Sequence, residues 1–324
     1  MNDAILAGGS ANEAIYEDPR KIFSNALVEL GGQNPDVVFV SCDSSLGASG
    51  GEFNKKFPER HFEFGIAEQN AMGEAAGFAA CGKIAFIAAY LPFVAFRCFE
   101  QLRDDVCKTG LNVKVMGNNC GFSVSSLGAT HTVLEDISAI RALPNITILS
   151  PCDGPEYYQA VFAAADLKGP VFIRIHRVKT KRMHSGNFKF VIGKGEVLRQ
   201  GKDVTVVSTS SMVAPSLDAA TMLAAKGIDA EVVNISTIKP LDRELILSSS
   251  SKTKRVVSVE EHSVAGGLGS AVAEVLIREN PVKMKMVGIN DEFTVVGDYK
   301  DIIEYYGLTP EKIAASIEVF MADR

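Results

Sequence analysis

Apolar, β-branched runs alternate with helical patterns along the whole sequence. That alternation leaves room for little except parallel sheets covered by helices. In the first half the expected strands are DVVFVS (36–41), KIAFIA (83–88), NVKVMG (112–117), ITILS (146–150) and PVFIRI (170–175). Helical stretches around 67–82, 93–108, 133–142 and 154–167 lie between them. HRVKTKRMHSGNFKF (176–190) is polar and basic and reads as a linker. Beyond it come strands DVTVVST, AEVVNI, RVVSVEE and KMKMVGI, with helices at 213–226, near 242–250 and at 267–280. The expected fold is α/β, with two doubly wound domains of mainly parallel sheets, roughly 1–185 and 190–324. A chain of 324 residues is long enough to give each domain its own core.

Composition narrows the function classes. At 47% hydrophobic and 22% charged the chain is ordinary for a soluble globular protein. A net charge of −6 argues against general nucleic-acid binding, which needs a basic surface. The N-terminus lacks the basic start and apolar core of a signal peptide. The most apolar run, IAFIAAYLPFVAF, has 13 residues, too few for a membrane span. Six scattered cysteines without a CxxC pair point to reduced thiols and a cytoplasmic location.

The motifs of the commonest enzyme classes fail. Neither GxGxxG nor GxxxxGK[ST] occurs in the right context. SLGASGGEF (45–53) lacks both the spacing and the lysine, and AGGLGSA (265–271) reads as a tight turn between strand and helix. HExxH is missing, no carboxylate cluster suggests a metal, and GxSxG is met only by GASGG (47–51) inside the glycine-rich stretch. What remains is HFEFGIAEQNAMGEAAGFAACG (61–82), which sets an acid, Glu68, at the start of a helix rich in alanine and glycine. Gly73 and Gly77 each cost about 1 kcal/mol there relative to Ala. Tyr90, Phe93 and Phe96 recur every three residues, either as core packing or as a flat wall for a planar ring. His131, in SSLGATHTVLEDI, is either a satisfied loop residue or a catalytic one.

GIAEQNAMGEAAGFAACGK, AYLPFVAFRCFEQLRDDV, GATHTVLEDISAIRALPNITILSP and VSVEEHSVAGGLGSAVAE together resemble, in this order, the C-terminal half of transketolases. The resemblance runs from about residue 15 to near the end of the chain. It is nearest to split transketolases, whose thiamine diphosphate enzyme is made from two polypeptides. It implies a pyrimidine-binding domain and a transketolase C-terminal domain, hence half an active site. The family's diphosphate-binding domain carries a GDG motif and holds Mg²⁺. This sequence has only VGDYKD near residue 296, so the resemblance assigns that domain and most metal ligands to a partner chain, in an α2β2 assembly.

The resemblance also assigns roles. Glu68 matches the carboxylate that bonds the cofactor's pyrimidine nitrogen N1′ and helps generate the reactive carbanion. Ile66, Tyr90, Phe93 and Phe96 match the pyrimidine pocket, with Phe93 stacking. His131 matches a histidine facing the reacting carbons, and Arg20 and Arg177 match arginines that hold the substrate phosphate. Two positions depart from the pattern. Asn119 stands where the family commonly has a His, and Leu127 where it commonly has an Asp that reads an acceptor hydroxyl. Leu127 makes no hydrogen bond, so an unusual sugar is expected, with a sulfonate or other anionic head group, or a different acceptor aldehyde. Two alternatives share parts of this pattern. One is the β subunit of a 2-oxo acid dehydrogenase or a deoxyxylulose phosphate synthase relative. The other is a non-catalytic scaffold.

Overall fold

The computed structural model describes residues 14–43, 50–185 and 187–323. Part of the glycine-rich 45–53 stretch and most of the N-terminal segment lie outside the described residues. The chain separates into two units. The first takes residues up to 118 together with 144–146 and 153–191; the second takes 119–143, 147–152 and 192 onward.

The first unit holds five parallel strands in the order Val171–Ile175, Val113–Asn118, Ile84–Tyr90, Val37–Ser41 and His61–Glu63. All five residues of Val37–Ser41 and of Val171–Ile175 are buried. Burial on both faces is why these strands read as continuous apolar runs rather than alternating ones. Helices Pro19–Gln33, Glu68–Ala80 and Gly154–Asp166 belong to the same unit. Asp18 and Asp153 accept a first-turn N–H of their helices, and Pro19 and Pro155 sit where a missing N–H costs nothing.

The second unit has a five-stranded sheet in the order Lys283–Ile289, Arg255–Ser263, Val204–Ser208, Ala230–Asn234 and Glu196–Arg199. Three of its pairings are parallel and the last is antiparallel. Its core packs Val206, Val232, Val257 and Ile317 with Phe122 and Leu134, which come from the first half of the sequence. A linear division near residues 185–190 puts the 119–143 segment with the first domain, whereas in the structure that segment packs within the second unit.

Three expectations change in detail. The 93–108 stretch, expected as one helix, consists of two wide π turns, Phe93–Arg97 and Leu102–Cys107, around a short α turn, Phe99–Gln101. The 133–142 helix shrinks to Asp136–Arg141. The 176–190 stretch is no loose linker: Met183 and His184 donate backbone N–H bonds to the buried Asp153 carboxylate at 2.7 and 2.8 Å. Arg182 pairs with Glu17 beside the antiparallel Tyr16–Glu17 and Thr180–Lys181 strands. Arg182 looks solvated in the sequence only because its partner Glu17 is remote along the chain.

Candidate functional site

Glu68 is the first residue of its helix, where the helix dipole favours a carboxylate. The chain reaches it through a braced turn. Glu63 Oε1 accepts the N–H groups of Asp43 and Gly65 at 2.6 and 2.8 Å, and its Oε2 accepts from the Ser41 hydroxyl. Ser41 Oγ, having donated to Glu63, accepts from His61 Nε2 at 2.7 Å. Burial holds the His61 pKa below its usual value, against the opposing pull of Glu63. The end of one strand, the start of another and the turn before Glu68 are thus tied through one carboxylate.

Glu68 is 3% exposed. Its Oε2 accepts from Arg97 Nη1 at 2.6 Å. Arg97 ends the first π turn, and its guanidinium lies over the Phe93 ring, 4.1 Å from the centroid. The wide turn explains the pose, because five-residue hydrogen bonding brings residue i+4 nearly above residue i. Cys98 N–H closes that turn onto the Phe93 carbonyl at 3.3 Å, and the Cys98 thiol donates to the carbonyls of Phe93 and Val94. Both nearby thiols feel the acid. Burial, with Glu68 and Glu63 adding, pushes Cys42 up to about 12; burial, with Cys42 and Glu68 adding, does the same for Cys98.

The Tyr90 and Phe93 rings stand 6.1 Å apart at 39°, and Phe96 projects outward, 39% exposed. Tyr90 ends the Ile84–Tyr90 strand while Phe93 and Phe96 lie on the π turn, so the three rings do not form one core-facing helical stripe. Ile66, in the turn before the helix, is 77% exposed. A buried carboxylate whose partner lies half in solvent over a half-buried aromatic ring fits the aminopyrimidine of thiamine. Gly73 and Gly77 face open space: a Cβ added at either would meet nothing within 4 Å. Arg20 lies in the same unit and is engaged with Asp18 at 2.9 Å, while Arg177 is exposed just past the Val171–Ile175 strand.

The remaining expected site residues belong to the second unit. Asn119 is buried at a left-handed φ of 62°, and its Oδ1 has no hydrogen-bond partner. Leu127 is 53% exposed in a short 3₁₀ turn, Ser125–Leu127. His131 follows it, with Nδ1 2.9 Å from Thr130 Oγ1 and its N–H donated to the Gly128 carbonyl. What holds this loop is a run of three buried residues whose sequence reads as plain strand, Glu260, Glu261 and His262. Glu261 accepts from Phe122 N–H at 2.5 Å, Ser211 Oγ at 2.5 Å and Tyr299 OH at 2.9 Å. Gly121 is required beside it: φ is 62°, and a Cβ there would lie 2.3 Å from Glu261 Oε1. His262 Nε2 accepts from Ile137 N–H at 3.1 Å and Nδ1 donates to the Ser263 carbonyl at 2.7 Å. Glu260 accepts the N–H groups of Leu268 and Gly269, opening the Leu268–Glu279 helix. Arg97 also escapes a reading of the sequence; its only signal there is a lone cation in the apolar run LPFVAFRCF.

Comparison with known proteins agrees along the chain. The family model for the transketolase pyrimidine binding domain matches residues 18–182, and that for the transketolase C-terminal domain matches 193–313. The chain is 38% identical to a subunit of the apulose-4-phosphate transketolase of Phocaeicola vulgatus, over 93% of this chain and 97% of that one. It is 39% identical to the 6-deoxy-6-sulfo-D-fructose transketolase subunit SqwH of Clostridium sp. (strain MSTE9), over 91% of each. Among solved structures, a split gene transketolase described as an inactive beta4 tetramer superposes with a TM-score of 0.86 at 42% identity, covering 94% of this chain and 98% of that one.

Proposed function

The chain belongs to the transketolase family, and we propose that it acts as the pyrimidine-binding and C-terminal subunit of a two-chain enzyme. That enzyme moves a two-carbon ketol unit from an anionic ketose to an aldose. The observation that carries this reading is the buried Glu68 carboxylate, paired with the half-exposed Arg97, whose guanidinium lies over the Phe93 ring. Thiamine diphosphate, on which the family depends, supplies the nucleophilic carbon that breaks and re-forms the carbon–carbon bond when bound.

The chain's own residues hold, orient and move protons. Glu68 shares a proton with pyrimidine nitrogen N1′; its dry surroundings raise the value of that contact. Phe93 stacks on the ring, while Tyr90, Phe96 and Ile66 shield it from water. His131 passes protons to and from substrate oxygens, and Arg20 and Arg177 grip the anionic head group. The unpaired Asn119 Oδ1 offers an acceptor to a sugar hydroxyl, and Leu127 offers none. The partner chain carries the GDG domain, the diphosphate grip and most Mg²⁺ ligands, in an α2β2 assembly. The open Gly73 and Gly77 face suits a close contact between subunits. No helix among the described residues is long and apolar enough to cross a membrane, and the proposed enzyme works in the cytoplasm.

Two names among the relatives, one a phosphate sugar and one a sulfo sugar, support an anionic donor without choosing between head groups. Mixing this chain with the product of a neighbouring reading frame that carries a GDG domain tests the reading. Thiamine diphosphate is expected to bind, and ketol transfer to appear, only with both chains present; transfer by this chain alone would sink it. A panel of phosphorylated and sulfonated ketoses reads the head group. Clear preference for xylulose 5-phosphate would overturn the idea of an altered substrate.

A further inference from the structure

Arg97 makes the same two contacts that the aminopyrimidine ring needs. Its Nη1 takes one oxygen of Glu68, and its guanidinium lies over Phe93. We infer that Arg97 is a built-in occupant of the cofactor-ring pocket, which covers Glu68 and Phe93 in the empty protein and swings out when the ring enters. The inference rests on Glu68 and Phe93 being the ring's partners.

The physical case starts from the acid. A carboxylate buried as deeply as Glu68 is costly without a partner, and the helix dipole alone does not replace its lost water. Without a ligand some cation must cover it, and among the described residues Arg97 is the one that forms an ion pair with it. The two side chains are unequally placed. Glu68 is 4% exposed while Arg97 is 42% exposed, so the acid is fixed and the cation has a way out to solvent. A planar guanidinium also mimics a flat heteroaromatic ring. It stacks on an aromatic face and donates N–H bonds in its own plane, which is how an aminopyrimidine would meet Phe93 and Glu68.

Exchange follows from this geometry. Ring and guanidinium compete for one oxygen and one aromatic face, so cofactor binding has to displace a charge-assisted hydrogen bond and a cation–π contact. The displaced Arg97 remains tethered at the rim by its backbone turn. The same contacts lower the affinity for the ring and keep the empty pocket from collapsing or from exposing an uncovered acid.

The test uses the reconstituted two-chain complex titrated with thiamine diphosphate and Mg²⁺ in a calorimeter. Arg97→Ala and Arg97→Gln are each expected to tighten binding roughly three- to tenfold, the scale of one exposed ion pair plus one cation–π contact. The cofactor-free variants are expected to melt lower than wild type, and their melting point to rise further on adding thiamine diphosphate. Circular dichroism checks that both variants are folded. Unchanged or weaker binding by both variants, with wild type binding normally, overturns this inference alone. Binding by none of the three proteins overturns the cofactor reading and this inference with it.

Discussion

Glu68 in the first unit and Glu261 in the second are equally buried, at 3% exposure each, and are supplied in opposite ways. Glu261 is met by a backbone N–H and two hydroxyls, all from its own fold. Glu68 is met by Arg97, a side chain half in solvent. The acid braced from three sides acts as a strut, whereas the acid met by Arg97 has a partner open to solvent.

The largest effect separating them is expected in rate. Glu68→Ala in the two-chain enzyme should lower kcat by roughly 10²–10⁴, the usual worth of a positioned acid–base group. Its melting point should hardly move; intact activity would refute the assignment. Glu261→Ala should do the reverse, costing about 3 kcal/mol in denaturant unfolding because two hydroxyls and an N–H lose their acceptor. A loss below about 1 kcal/mol would show that water replaces the carboxylate and that the strut is dispensable.

Phe93→Ala should weaken thiamine diphosphate binding roughly tenfold through lost stacking, read by titration of the complex. Equal affinity would move the ring elsewhere. The smallest effect is a pH signature. Burial, then the charge of Glu261, raises the Tyr299 pKa well above its ordinary value of 10.0. Above pH 10 the unfolded phenol loses its proton while the folded one keeps it, so the stabilisation is complete below pH 10 and declines as pH rises toward the folded value. Wild type should lose stability above pH 10 more steeply than Tyr299→Phe, measured by denaturant melts across that range. Parallel curves would uncouple the phenol from Glu261.

Much of the fold is legible in the sequence because both sheets are buried on two faces, and continuous apolar runs such as 37–41 and 204–208 have few other readings. Glu68 is legible through the GIAEQN match, since the run of alanines and glycines also holds Glu74 and does not single it out. The π turns at 93–107 are not, since an extra residue per turn leaves no trace in an apolar pattern. Nor is the role of Glu260, Glu261 and His262. Three polar residues in succession look like a strand's wet end, and what dries them is remote in sequence: Phe122 N–H lies 139 positions from Glu261, and Ile137 N–H lies 125 from His262. Arg97 is hidden for a different reason. Only the three-dimensional turn shows that a lone arginine folds back over the phenylalanine four residues before it.

Those long separations bear on how the chain is made. The loop carrying Asn119, Leu127 and His131 leaves the ribosome well before the strand that anchors it. At ordinary elongation speeds of 5–20 residues per second, the 139 residues between Phe122 and Glu261 correspond to roughly 7–30 s. Until then Phe122 and Leu134, both core residues of the finished protein, have no sheet to bury against. The nascent chain carries this apolar segment through about two fifths of its own synthesis, a natural target for a chaperone, and the loop is completed late.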